Sequence, residues 1–356
     1  GWLGVIAGDE ALALRRAGLS APIFIMGAVE EGEVDGLLAA GGLRFAVFDM
    51  AQAEMLSAHA RGRQVPIHVE VDTGLGRLSV TETYASAFVG DIAHLPGLYL
   101  EGLYTHLADA EGMDQSYTMA QFASFKRIQD SLRQEGVRFD MAHVAGSAAA
   151  ILLSDLRCDL VRTGISIYGY WPAEETRLLM MSHEQDLLKL ANDSQAQAKG
   201  VRGLYSLLRP VLSWKARLLQ AKTVPAHSSV GYGCSYQTLR DTRVGVVSVG
   251  YADGFDRHLS NNGRVLVRGQ QAPILGRICM NLCMIDVTDV AEASPGDEVV
   301  LIGRQGDQEL TAEEMARRVG SIHYEIVTRI NWSVPRVYLN EEQPAPHVKA
   351  SAAAEC

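Results

Sequence analysis

From residue 1 to about residue 170 the chain alternates short β-type runs with amphipathic helical stretches, and this alternation restricts the fold more than any other feature. The candidate strands are Leu3–Ile6, Ile23–Met26, Phe45–Phe48, Ile67–Val71, Leu100–Thr105, Ala142–Ala145 and Leu160–Arg162. Between them lie helical patterns at Glu10–Ala17, Ala51–Ala60, Glu82–Ile92 and Met119–Glu135. Strands separated by helices predict parallel βα units. About seven units are present where a closed (β/α)8 TIM-type barrel needs eight. The run Gly1-Trp2-Leu3-Gly4-Val5-Ile6 reads as a buried strand from the first residue, with no Met, signal peptide or polar lead-in. Chains rarely start inside a core strand, so the expectation is that the numbered chain lacks its beginning and with it the first βα unit.

The pattern breaks after residue 170. Residues 171–206 are polar and helix-prone, clearest over Glu184–Ala198, and read as an insertion or linker closing a 1–208 barrel. From 209 to 340 the chain becomes mostly β. Val211–Val224, Arg243–Val249, Arg264–Val267, Ala272–Ile274, Cys283–Val287 and Glu298–Ile302 are the strand candidates. Asn261-Asn262-Gly263 and Gly269-Gln270-Gln271 are candidate turns, which together predict a small β barrel or sandwich. Thr311-Ala312-Glu313-Glu314 is a capping-type start to a helix over Glu313–Val319. The tail, 341–356, is expected to be disordered.

Composition narrows the function classes. The net charge is −10 and no Lys/Arg run occurs, which argues against nucleic acid as a partner. No apolar run approaches the ~20 residues of a membrane span. Five cysteines lack framework spacing, and Cys279 and Cys283, with too few ligands nearby for zinc, read as buried thiols. No metal site is expected. A reducing cytoplasm fits this usage.

Polar residues gather at the C-terminal ends of the barrel strands, the face where barrel enzymes place their chemistry. Glu70 and Asp72 lead into Thr73-Gly74-Leu75-Gly76-Arg77, and His106 follows Thr105. Gly146-Ser147 precedes a short helix-prone run, and Arg162-Thr163-Gly164-Ile165 ends the last strand candidate. Gly146, Ser147, Gly164 and Ile165 offer backbone amides and a hydroxyl that could cradle a phosphate, or equally glycines that permit tight strand–helix packing. In the β domain, Gly231 and Gly233 flank Tyr232 and let the chain turn sharply and push one phenol outward. On its own that tripeptide reads as a hairpin turn with a packed Tyr. A phenol is a poor base at neutral pH unless cations or a polarised partner assist it.

Taken in order, these segments resemble the alanine racemases, fold-type III enzymes that use pyridoxal 5′-phosphate (PLP). The resemblance runs from Trp2 to about Tyr338. It rests on His68-Val69-Glu70-Val71-Asp72-Thr73-Gly74-Leu75-Gly76-Arg77, Gly102-Leu103-Tyr104-Thr105-His106, Val161-Arg162-Thr163-Gly164-Ile165, Val230-Gly231-Tyr232-Gly233, Gly250-Tyr251-Ala252-Asp253-Gly254, Gly276-Arg277-Ile278-Cys279-Met280-Asn281 and Tyr324-Glu325. It implies that Tyr232 takes the α-proton of L-alanine, in an active site completed by the other subunit of a homodimer. It implies that Arg162 faces the cofactor's pyridine nitrogen, with His106 beside the ring. Arg77 would meet the substrate carboxylate, as would the backbone of Met280. Ser147, Gly164, Ile165 and Tyr324 would hold the phosphate. The activity implied is interconversion of L- and D-alanine, a supply of D-alanine for peptidoglycan.

Several positions depart from the family pattern. Many relatives carry a carbamylated lysine where Glu70 stands, which orients the equivalent of Arg77; Glu70 would supply that charge itself, in bidentate contact with Arg77. Asn281 replaces an Asp and Gly146 an Asn. The family's cofactor-holding lysine sits on the first barrel strand in a Lys-Ala-x-x-Tyr-Gly type motif, and Lys126, Lys189, Lys199, Lys215, Lys222 and Lys349 all lie in other contexts. The resemblance therefore implies that the chain as numbered is inactive, or nearly so. Serine or broader amino-acid racemisation, and a non-catalytic PLP-fold relative, remain as other readings.

Overall fold

The structure is a computed structural model and describes residues 1–190 and 208–339, with side chains for all of these except 183–190. It divides into two units, Gly1–Pro210 and Val211–Cys356.

The first unit is built from β1 (Leu3–Val5), α1 (Gly8–Arg16), β2 (Ile23–Ile25), α2 (Glu31–Ala40), β3 (Leu43–Val47), α3 (Met50–Ala60), β4 (Val65–Asp72), β5 (Val80–Thr81), α4 (Ala85–Ile92), β6 (Leu98–Tyr104), α5 (Ser116–Gln134), β7 (Met141–His143), α6 (Ser147–Leu152) and α7 (Glu174–Leu190). The sheet order is β1-β2-β3-β4-β6-β7, with β5 added to β4 and every pair parallel. This is the expected TIM-type architecture, a parallel half-barrel. The run Leu160–Arg162 is not a full strand; it contributes one parallel bridge, Gly146 to Arg162.

The period of two along these strands sorts their side chains. Ile23, Ile25, Leu43, Phe45, Val47, Val65, Ile67, Val69 and Val71 join one apolar core with Leu37, Leu56, Phe88 and Phe125 of the helices. The alternate positions face the other way. There Phe24, Ala46 and Tyr104 cluster with Trp2 and Met26, and the polar side chains Arg44, His68, Glu70 and His143 project among them. Between β4 and β6 the register slips, with Ile67 opposite Leu100 but His68 opposite Gly102, so Glu101 is a bulge residue.

Helix starts follow local chemistry. Glu10 accepts from the N–H groups of Ile6 and Ala7 ahead of α1, and Asp49 caps α3 through Gln52 N at 2.8 Å. Helix α2 escapes a sequence reading because Gly32 and Gly36 lower its propensity; burial of Val34 and Leu37, three residues apart on one face, holds it. The expected helix over Glu184–Ala198 is instead α7, which starts ten residues earlier at Glu174. Residues 191–206 of that segment, and the tail 341–356, lie outside the described residues.

The second unit comprises β8 (Trp214–Val224), β9 (Ser229–Val230), β10 (Tyr236–Gln237), β11 (Thr242–Val247), β12 (Arg264–Val267), β13 (Gln270–Pro273), β14 (Cys283–Asp286), β15 (Glu298–Gln305), β16 (Gln308–Leu310), α8 (Ala312–Val319) and α9 (His323–Arg329). Its antiparallel order is β13-β12-β15-β8-β11-β14, with β16 on β15. An antiparallel bridge from Ile274 to Ile285 joins the two ends of that path, as a small barrel requires. The β12–β13 turn is Arg268-Gly269, both at positive φ (52° and 77°), one residue before the expected position. That pair of left-handed residues matches the twist of a two-residue hairpin. Thr311 caps α8 through Glu314 N at 3.1 Å. The reciprocal half of a capping box is missing, because Glu314 binds Arg264 and Arg318 instead. Cys283 is buried as expected, whereas Cys279 is only partly so. Among the described residues no helix is long and apolar enough to cross a membrane.

Two glycines give opposite expectations. A Cβ on Gly102 would lie 2.2 Å from His68 Nδ1, whereas one on Gly36, mid-helix and exposed, would meet nothing within 4 Å. Gly102→Ala is expected to destabilise by about 1–3 kcal/mol through overpacking, and Gly36→Ala to stabilise by about 0.5–1 kcal/mol. Urea midpoints of both variants check this; equal midpoints would show that the His68 ring is not confined.

Candidate functional site

Arg162 organises the C-terminal face of the half-barrel. Its NH1 donates to His143 O at 3.0 Å and His143 Nδ1 at 2.5 Å. Its NH2 donates to Thr105 O at 2.7 Å, Val144 O at 3.1 Å and His106 Nδ1 at 3.1 Å. Nε has no hydrogen-bond partner among the described residues. Below lies the Tyr104 ring, 5.2 Å from the guanidinium carbon. Tyr104 in turn stacks on His143, with centroids 4.7 Å apart and planes at 12°. Burial pushes Arg162 down to about 10, still cationic at neutral pH.

Burial, and after it that cation, keep the nearby imidazoles neutral. Burial, then Arg162 and Arg77, pull His106 down to about 4. His143 is held well below the usual range by burial, Arg162 and His68. His68 is also lowered, burial outweighing its hydrogen bond to Glu101.

Glu70 is buried, and its Oε2 accepts from Tyr104 OH at 2.7 Å. It makes no hydrogen bond or ion pair with Arg77, contrary to the expected bidentate contact. Arg77 is exposed, and its charge reaches Glu70 only over a longer range. Burial raises the Glu70 carboxyl, against the Tyr104 hydrogen bond and the charges of Arg77 and Arg162. The loop before Arg77 is clasped instead by Asp72. Its Oδ1 accepts from Gly74, Leu75 and Gly76 N–H at 2.8, 3.0 and 3.2 Å. Tyr117 OH adds a bond to Gly74 O, and Gly74, at φ 134°, has no room for a Cβ beside that hydroxyl.

Of the four residues expected at a phosphate, the structure brings Ser147 and Gly164 together. Ser147 Oγ accepts from Gly164 N at 2.9 Å, which ties α6 to the segment after Arg162. Gly164 faces open space, with nothing within 4 Å of a Cβ built there, and Ile165 is buried beside it. Tyr324, on α9, belongs to the second unit.

In that second unit Tyr232 rides on a sharp turn between β9 and β10. Gly231 and Gly233 take φ of 77° and 69°. A Cβ on Gly231 would lie 3.2 Å from Arg277 N, and one on Gly233 2.8 Å from Arg277 NH1. The Tyr232 turn therefore packs on Gly276-Arg277. Asn261 stitches them together, donating to Ser235 O at 3.1 Å and accepting from Gly276 N at 2.6 Å. Tyr251 and Ala252 N–H hold Cys279 O and Met280 O at 3.1 and 2.9 Å. Gly250 permits that approach, since a Cβ there would lie 2.2 Å from Met280 O. Tyr232 is 71% exposed and Met280 56%.

A parallel half-barrel with a fixed arginine at its strand ends, followed by a β domain that presents a glycine-flanked tyrosine, defines a class that the comparisons name. The family profile described as "Alanine racemase, N-terminal domain" matches residues 1–172, and "Alanine racemase, C-terminal domain" matches 211–338. An alanine racemase of Desulfovibrio desulfuricans is 38% identical over 341 residues, covering 95% of this chain and 84% of the relative. The crystal structure of the Bacillus anthracis alanine racemase with bound L-Ala-P superposes with a TM-score of 0.83 at 31% identity, over 96% of this chain and 82% of that one. Alanine racemase from Streptomyces coelicolor gives 0.82 at 34% identity, over 96% and 85%. The chain belongs to the alanine racemase family.

Sequence reasoning placed Arg162 and His106 together and missed what lies behind them: His143, His68, Glu101 and Arg44. One signal was available. Parallel strands covered on both faces run almost continuously apolar, yet β4 reads Ile67-His68-Val69-Glu70-Val71-Asp72.

The neutral histidines predict a pH dependence. His106, His143 and His68 bind protons less readily folded than unfolded, so below about pH 6.5 the unfolded chain holds more protons. Their contribution to stability is complete above that pH and is lost as pH falls toward the folded values, about 4 for His106. Glu70, raised by burial, opposes this as one group against three. The urea midpoint is expected to be lower at pH 5 than at pH 7, and the drop smaller in His106→Gln. Equal midpoints at the two pH values would contradict the neutral imidazoles.

Proposed function

We propose that the protein is a PLP-dependent alanine racemase, its 1–208 barrel holding the cofactor and its 209–340 domain contributing Tyr232 as a proton-transferring group. The observation that carries this reading is Arg162. Two of its nitrogens are fixed by five acceptors while the Nε–H stays without a partner among the described residues. A ring nitrogen of an aromatic cofactor is an acceptor that suits such a donor. The opening beside Gly164, next to Ser147 Oγ, suits a phosphate.

When bound, pyridoxal phosphate supplies an electron sink that acidifies the α-C–H of an amino acid. Arg162 would hold the ring nitrogen with an N–H it does not surrender, which moderates that sink and disfavours side reactions. His106, neutral, accepts from Arg162 at Nδ1 and so carries its proton on the other nitrogen. Ser147, Gly164, Ile165 and Tyr324 would bind the phosphate. Arg77, presented by the Asp72 clasp, would hold the substrate carboxylate together with the Met280 backbone. Glu70 acts on Arg77 through its charge rather than through contact. Tyr232 Oη would take the α-proton of L-alanine, and a lysine on the opposite face would serve D-alanine.

The family's lysine motif does not occur in these 356 residues. We therefore infer that they do not racemise alanine by themselves. We also infer a head-to-tail homodimer with shared sites, in the cytoplasm, supplying D-alanine for peptidoglycan.

The test fuses the lysine-bearing first βα unit of an alanine racemase to Gly1. The fusion is expected to take up PLP, with its visible absorbance, and to interconvert L- and D-alanine, while residues 1–356 loaded with PLP do not. In the fusion, Glu70→Gln should raise KM for alanine severalfold. A PLP-loaded fusion that racemises no small amino acid would contradict the racemase reading. Racemisation by residues 1–356 themselves would contradict the lysine inference, and an unchanged KM the role of Glu70.

A further inference from the structure

Four polar side chains that the proposed reaction leaves unused form one line of hydrogen bonds behind Arg162. Arg162 NH1 meets His143 Nδ1 at 2.5 Å, and His143 Nε2 lies 2.8 Å from His68 Nδ1. His68 Nε2 lies 3.0 Å from Glu101 Oε2, and Arg44 grips both Glu101 oxygens at 3.0 and 3.2 Å. His68 and His143 are 0% exposed and Glu101 7%. The far end is pinned as well, with the Arg44 guanidinium 4.7 Å from the Trp2 ring centre.

The two ends fix every proton between them. A guanidinium only donates and an ionised carboxylate only accepts. His143 must therefore accept at Nδ1 and carry its proton on Nε2, which it donates to His68 Nδ1. His68 must carry its own proton on Nε2 and donate it to Glu101. Protonating either ring would set one N–H against another somewhere along the line.

The sheet is shaped to bring Glu101 here. The register slip between β4 and β6 leaves Glu101 unpaired and turns its side chain toward His68 and Arg44. The next residue is Gly102, whose missing Cβ leaves the space that the His68 ring occupies, 2.2 Å from its Nδ1. A charged carboxylate with no catalytic contact is costly to bury, and here it lies at the end of a line that leads to the site.

We propose that Glu101, anchored by Arg44, is a positioning residue that acts on Arg162 from two histidines away. It sets the tautomers of His68 and His143, and its charge polarises the line so that His143 Nδ1 holds the NH1 edge of Arg162 and keeps Nε–H aimed. Charge-assisted hydrogen bonds are shorter and about twice as strong as neutral ones, and bonds in a line reinforce one another. The value of that aim in catalysis rests on Arg162 serving the cofactor ring. The tautomers and the hold on Arg162 do not.

The test is nitrogen-15 NMR of the 356-residue chain without cofactor, which separates this inference from the racemase assay. His68 and His143 should both show a protonated Nε2 and a bare Nδ1, with the His68 Nε2–H far downfield. In Glu101→Gln the amide can still accept from His68, but without charge and with its NH2 against Arg44. There the His68 Nε2–H should move upfield, the His143 Nδ1 signal should shift, and the Arg162 Nε–H resonance should move or exchange away. Glu101→Asp, which keeps the charge, should stay closer to wild type than Glu101→Gln. If Glu101→Gln does not fold, Arg44→Met, which leaves the carboxylate unanchored, should also disturb Arg162 Nε–H. A proton on Nδ1 of either ring in the wild-type chain would overturn the proposal. So would an Arg162 Nε–H signal identical to wild type in the folded variants.

Discussion

A guanidinium cannot be left half-buried without acceptors, and the site follows from how Arg162 meets that demand. Three backbone carbonyls at the ends of β6 and β7 and two imidazoles answer its NH1 and NH2. Carbonyls at strand ends are available because the parallel ladder stops there, so the half-barrel itself creates the seat. The cation then acts on what surrounds it. Burial first, and this charge second, keep His106 and His143 neutral, and a neutral imidazole can accept a hydrogen bond where a charged one cannot.

Two buried carboxylates are linked to the same cation. Glu70 and Glu101 occupy inward positions where apolar side chains would otherwise pack, and each reaches Arg162 through an aromatic partner: Glu70 through Tyr104, Glu101 through the two histidines. Neither touches Arg162 directly. Negative charge is thus held near the guanidinium but off its free edge, which a direct ion pair would occupy.

Much of this was legible in the sequence. Alternating strands and helices identified the barrel, since period two and period 3.6 leave different traces. Arg162, His106 and Ser147 stood out because polar residues at strand ends are conspicuous beside apolar runs. What stayed hidden depended on side-chain direction. Glu70 and Arg77 are seven residues apart in one motif, and nothing linear shows that Tyr104 takes the carboxylate and leaves Arg77 exposed. Glu101 was hidden by a bulge, which shifts the inward-facing position by one residue and defeats a count by twos. In the β domain the glycines around Tyr232 were readable, but their reason, contact with Arg277 some 45 residues on, was not.

Tyr232 and Met280 stand exposed in one unit, and the Arg162 face lies in the other. The central claim is that a racemase site forms from the barrel face of one chain and Tyr232 of a second. Mixing two inactive forms of the lysine-bearing fusion tests it most directly, one carrying Tyr232→Phe and the other Arg162→Ala. Shared sites predict that, after dissociation and reassociation, the mixture recovers up to about one quarter of wild-type activity, because about half of the dimers are hybrids and one of the two sites in each hybrid is intact. No recovery from well-formed hybrid dimers would contradict a site shared between subunits.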